Sequence, residues 1–135
     1  MKTYKTSLTA ILLIFSTIFI AAKNQQKVYL FGETPVKTIV IKNPAADDVN
    51  TFFSNSQVYF FEVYKIGDVQ AVLEIFKKNK DVASCVANNP IGDFTPINLI
   101  LKSNKDKAFF ITLFKSAGLN NIRINHREVV ATDKM

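Results

Sequence analysis

Residues 57–66 read QVYFFEVYKI, and this run gives the strongest strand signal in the chain. Most of its side chains are β-branched or aromatic, the two kinds that best fit a pleated backbone. Because successive side chains of a strand point to opposite faces, large apolar groups occur on both sides of this one. One side carries Tyr59, Phe61 and Val63, and the other carries Val58, Phe60 and Tyr64. Such a strand needs cover on both faces.

An amphipathic helix follows the strand. In GDVQAVLEIFKKNK, residues 67–80, Asp68 suits the N-cap, and apolar side chains recur three and four residues apart. The apolar stripe consists of Val69, Val72, Leu73 and Phe76. Lys77, Lys78 and Lys80 gather at the C-terminal end, where the helix dipole favours cations.

Strands and a second helix alternate along the remaining chain. The predicted strands are DVASCVA (81–87) and TPINLILK (95–102), with the turn NNPIGD between them. SNKDKAFFITLFKSAGL, residues 103–119, is the clearest helix. Ser103 and Asp106 have capping-box spacing at its start, and Gly118 supplies a left-handed stop at its end. NIRIN and REVVA are short strands on either side of a turn at Asn125 and His126.

From residue 57 the order of elements is strand, helix, strand, strand, helix, strand. This is the split βαβ, or ferredoxin-like, pattern. It predicts an α+β fold in which both helices cover one face of a four-stranded antiparallel sheet, with right-handed crossovers. Residues 57–135 are therefore expected to form a ferredoxin-like βαββαβ sandwich, preceded by an N-terminal β-rich extension.

That extension comprises residues 23–56, with β-rich runs at Val28–Phe31 and Lys37–Lys42 and a short helix after Asn43. We expect residues 24–56 to cover the second face of the 58–64 strand, because their apolar side chains also need somewhere to pack. The alternative is an exposed apolar surface that marks an interaction site. The candidate residues for that surface are Tyr59, Phe61 and Tyr64.

Residues 1–22 have the layout of a secretory signal peptide. Lys2 and Lys5 precede an uncharged stretch from Leu8 to Ala22, and Ala21 and Ala22 are small enough for a signal peptidase. A retained membrane anchor is the alternative, but a span needs about 20 apolar residues. The sequence therefore predicts cleavage near residue 22, an exported protein, periplasmic or secreted, and no membrane span after cleavage.

The charge balance of the chain is mildly basic. The 135 residues carry a net charge of +6, and removing Lys2 and Lys5 with the signal leaves +4. The lysines are spread along the sequence, whereas a nucleic-acid module usually concentrates them on one face. We therefore expect no nucleic-acid partner, and a protein partner or self-association is the interaction to consider.

The run from Gln57 to Val129 resembles a heavy-metal-associated domain, the ferredoxin-like module of copper chaperones and metal-transport ATPases. KDVASCVAN resembles the second strand of that family, and SAGLNNIRIN resembles the end of its second helix and its last strand. The family's ligands are two cysteines spaced C-x-x-C between the first strand and first helix. Here that loop, residues 64–69, reads YKIGDV. The resemblance implies the fold, but the thiolates that a soft metal requires are missing from that loop.

The single cysteine, Cys85, cannot form an intramolecular disulfide, so the fold must be stabilised by packing. A free cysteine behaves as a small hydrophobic residue, and we expect Cys85 to be buried. His126 is the only histidine and falls in a predicted turn, which argues against a Cys–His nucleophile pair. The sequence contains no glycine-rich phosphate loop and no serine nucleophile motif. We expect no catalytic, cofactor-binding or metal-ligating residues.

These observations predict a small exported binding or interaction module without catalytic chemistry. The alternative is a divergent periplasmic or secreted heavy-metal carrier with a non-standard site.

Overall fold

The computed structural model describes residues 33–135, and strands and helices alternate along them. The strands are β1 (Thr38–Ile41), β2 (Val58–Tyr64), β3 (Val82–Ala87), β4 (Phe94–Leu101), β5 (Asn121–Ile124) and β6 (Val130–Ala131). The α-helices are α1 (Val49–Ser54), α2 (Val69–Lys78) and α3 (Lys107–Ser116), and short 3-10 helices occupy Pro44–Asp47 and Thr132–Lys134. The predicted signal peptide and the predicted run Val28–Phe31 lie outside the described residues.

The strands form one mixed sheet in the order β3-β4-β2-β1-β5-β6. All neighbouring strands are antiparallel except β1 and β5, which are parallel. The prediction of an α+β fold is confirmed. The ferredoxin-like sheet of four antiparallel strands is not confirmed, because β1 lies where the first and last strands of that sheet would meet.

The composition of β1 explains its central position. All four of its residues are buried, with Thr38 and Ile39 fully so and Val40 and Ile41 at 1% exposure. Burial of every residue, without alternation, is typical of a strand covered on both faces. Asn125 extends the pairing with β5, because its backbone N–H donates to the carbonyl oxygen of Ile41 at 2.8 Å.

The three α-helices of residues 33–135 pack on one face of the sheet. Phe61 of β2 faces Phe76 of α2 and Phe114 of α3, with ring centroids 6.5 and 5.4 Å away. Phe53 of α1 lies 4.5 Å from Phe110 of α3 by the same measure. The described part of the N-terminal extension therefore adds a strand to the sheet and a helix to the covered face. Over β2, residues 33–56 do not provide the predicted cover of the second face.

Polar side chains and one glycine set the helix ends. Asp68 caps α2 and accepts from the N–H of Ala71, as expected. Asp106 is the N-cap of α3, where the capping-box spacing had placed Ser103. Gly118 has φ +74°, and Leu119 donates its N–H back to Phe114, which ends the helix in a Schellman motif. Within residues 33–135, no helix has the length and apolar content needed to cross a bilayer.

Candidate interaction surface

The sheet face opposite the helices, here called the open face, carries a group of exposed apolar side chains. Strand register places them together, since Val58 is opposite Ile100, and Phe60 and Val86 both flank Asn98. Ile91 joins them from the β3–β4 loop. We call these five residues the apolar patch, and their exposed fractions lie between 38% for Ile100 and 69% for Ile91. Exposed apolar side chains in one contiguous group are typical of an interaction surface.

A depression of about 650 Å³ lies beside Phe60. Its lining residues are Phe60, Ala87, Asn88, Asn89, Pro90, Ile91 and Pro96. The loop that forms its wall is held by backbone hydrogen bonds, since Ile91 and Phe94 each donate to the other's carbonyl oxygen at 2.8 and 3.1 Å. Asn88 also donates to the carbonyl oxygen of Pro96 at 2.9 Å. These bonds order the loop that borders the depression.

The other half of the open face is occupied by contacts among its own side chains. Lys42 Nζ lies 2.7 Å from Glu62 Oε2 and sits over the Phe94 ring, 5.2 Å from its centroid. The Phe94 ring in turn lies 5.2 Å from that of Tyr64. Lys65 and Asp93 approach to 4.0 Å at the same end. The aromatic and charged side chains of this half therefore contact one another, whereas the apolar patch presents large apolar side chains to solvent.

The candidate surface predicted from the sequence, Tyr59, Phe61 and Tyr64, is not one surface in the folded chain. Tyr59 and Phe61 are 3% and 2% exposed, because alternation turns them towards the helices. The Tyr59 hydroxyl donates to the carbonyl oxygens of Phe53 and Ser56, at 3.0 and 2.8 Å. Tyr64 lies on the open face, half-buried against Phe94. The accessible residues of β2 are Val58 and Phe60.

Cys85 is fully buried and faces the helices, which confirms the expectation of burial. Burial raises the pKa of its thiol from 9.0 to about 11, and the nearby Lys77 ammonium opposes this shift. His126 is exposed in the turn after β5. Four strand spacings separate β3 from β5, a distance of about 19 Å, so the two side chains do not form a nucleophile pair.

A metal site has no ready ligand set in the described part of the chain. Among residues 33–135, no three His, Cys, Asp or Glu side chains lie close enough together to hold a metal ion. The loop that carries the cysteine ligands in heavy-metal-associated domains is the β2–α2 connection here, and it contains none. We therefore base the functional proposal on the apolar patch.

No protein-family model, curated protein or solved structure matches the chain. The resemblance to heavy-metal-associated domains stays a hypothesis from sequence.

Proposed function

We propose that this protein is a small binding module without catalytic chemistry, and that it receives a partner protein on the apolar patch. The observation that carries the proposal is Phe60, which leaves 55% of its surface exposed beside a shallow depression. Aromatic side chains, phenylalanine among them, are enriched at protein interfaces.

The chemistry of the depression favours a protein over a lipid surface. Asn88 and Asn89 contribute amide groups that both donate and accept hydrogen bonds, and the other lining residues are apolar. A few polar groups around an apolar centre orient a bound chain, while apolar burial supplies the affinity.

A peptide library displayed on phage, selected against the full chain, tests this proposal. Selected peptides should bind the Phe60→Thr variant about 30-fold more weakly or worse, since a central aromatic contact is worth roughly 2 kcal/mol or more. Val58→Thr is an isosteric change inside the patch and should also weaken binding. Val130→Thr, the same change at an exposed valine on β6, serves as the control. Peptides that bind all variants equally would refute the proposal.

We also propose that β2–β5 are a ferredoxin-like unit into which β1 has inserted. The element order from β2 to β5 is that of a split βαβ fold, and β4 lies between β3 and β2 as that fold requires. Export through residues 1–22 is likewise a proposal, supported by the basic start and the uncharged stretch that follows.

A further inference from the structure

We infer that the partner that occupies the apolar patch is acidic, and that its carboxylates pair with two lysines at one end of the patch. We call Lys80 and Lys102 the basic rim. The inference rests on the proposed function and adds the chemistry of the partner.

Strand pairing creates the basic rim from two separate segments. Val82 of β3 is opposite Leu101 of β4, so the residues just before β3 and just after β4 become neighbours. The N–H of Lys102 donates to the carbonyl oxygen of Asp81 at 2.9 Å. Because Lys102 follows Ile100 by two positions, it continues the open-face side of β4 beyond the apolar patch.

The rim carries more positive charge than its own neighbours neutralise. Asp81 forms a salt bridge with Lys105, whose Nζ lies 3.0 Å from Oδ1. The Asp106 carboxylate caps a helix and accepts a hydrogen bond from the N–H of Phe109. Lys80 and Lys102 are exposed, and neither makes an ion pair with any residue of 33–135. A partner with carboxylates at this position gains attraction without breaking an existing pair.

The same charges argue against a second copy of the chain as the occupant. The carboxylates on or beside the open face, Glu62 and Asp93, already lie within 4.0 Å of Lys42 and Lys65. In a second copy placed face to face, these carboxylates are already engaged by lysines of their own chain, so they offer the basic rim little charge complementarity. The complementary partner is a different, acidic protein.

Sheet geometry also sets the spacing within the partner segment. Phe60 is opposite Asn98, and Lys102 lies four residues further along the chain from Asn98. At about 3.4 Å per residue, this corresponds to roughly 14 Å. An extended segment that places an apolar side chain beside Phe60 therefore meets the basic rim with an acidic residue about four positions away.

The peptides selected in the preceding experiment test the inference directly. Peptides that depend on Phe60 should carry an excess of Asp and Glu, enriched about four positions from an apolar residue. One such peptide, labelled with a fluorophore, is then titrated with the rim variant Lys80→Gln/Lys102→Gln. Its Kd should rise about 3- to 10-fold, the range for two partly solvated ion pairs. The control Lys115→Gln/Lys134→Gln should stay within about twofold, and added salt should weaken the wild type more than the rim variant.

The possible outcomes distinguish a failure of this inference from a failure of the proposed function. Phe60-dependent peptides without an acidic excess, or with a Kd that the rim variant leaves unchanged, overturn the inference and leave the proposed function standing. A failure to select any Phe60-dependent peptide overturns both. Co-sedimentation with phosphatidylglycerol vesicles that Phe60→Thr abolishes assigns the patch to an anionic lipid surface instead. A dimer in analytical ultracentrifugation that Phe60→Thr dissolves assigns it to a second copy, and either result overturns the inference.

Discussion

Adjacent phenylalanines on β2 provide a sharp test of which sheet face is covered. Phe61 is 2% exposed and contacts the rings of α2 and α3, whereas Phe60 is 55% exposed on the open face. Full burial of a phenylalanine removes about 150–250 Å² from water, and large-to-small changes at such sites cost roughly 3–5 kcal/mol. We therefore expect Phe61→Ala to lower the free energy of unfolding by about that amount.

Phe60→Thr should cost far less. Phe60 keeps more than half of its surface in water, so at about 25 cal/mol per Å² its burial is worth less than half as much, and threonine retains the β-branching that suits a strand. We expect a loss of about 1 kcal/mol, leaving a gap of roughly 2 kcal/mol or more between the two variants. The two substituted residues are adjacent in the same strand. The difference between their losses in free energy of unfolding therefore reflects how well each sheet face is covered.

Urea denaturation followed by circular dichroism measures both changes. The comparison requires equal m-values, since a changed m-value signals a change in the surface exposed on unfolding. If Phe60→Thr lowers the free energy of unfolding by more than about 3 kcal/mol, Phe60 must be covered as well as Phe61 is. That result would refute the conclusion that this sheet face is open. A midpoint that rises with protein concentration only in the wild type would identify that cover as a second copy.

Two further predictions concern Cys85 and the N-terminus. The buried Cys85 thiol should react slowly with a maleimide at pH 8 in the native chain and quickly in urea, and rapid native labelling would contradict its burial. Burial raises the pKa of the Cys85 thiol to about 11 from 9.0. The contribution of the neutral thiol to the free energy of unfolding is therefore fully present below pH 9 and is lost as pH rises through 11. The Cys85→Ala variant should not show this loss. Mass spectrometry of protein from its native host should find a mature chain that starts near Lys23, and an intact Met1 on that protein would end the export proposal.

Local sequence signals predict several elements of the structure correctly. The predicted helices after Gly67 and Ser103 occur, and Asp68 and Gly118 act at their ends as expected. The strand at 58–64 has the predicted bounds. These features depend on neighbouring residues, such as a cap and the N–H it accepts from, so a single sequence contains the needed information.

The sequence predicts the wrong side chains for the interaction surface. Alternation divides the strand residues between two faces but does not show which face the helices cover. Tyr59 and Phe61 form one face and Val58 and Phe60 the other, and both faces are apolar. Only the packing of Phe76 and Phe114 against Phe61 makes the first face the core. The one asymmetry in the sequence was Glu62, which shares its face with Val58 and Phe60 and pairs with Lys42.

Local periodicity, caps and residue type are enough to predict the alternation of strands and helices, the α+β class and the burial of the cysteine. The position of β1 in the middle of the sheet depends on tertiary packing, because its three apolar residues and Thr38 suit any position covered on both faces. The apolar patch and the basic rim have the same origin. Register places Phe60 beside β4, which carries Ile100 and leads into Lys102, and register is fixed by hydrogen bonds between strands that are separate in the chain.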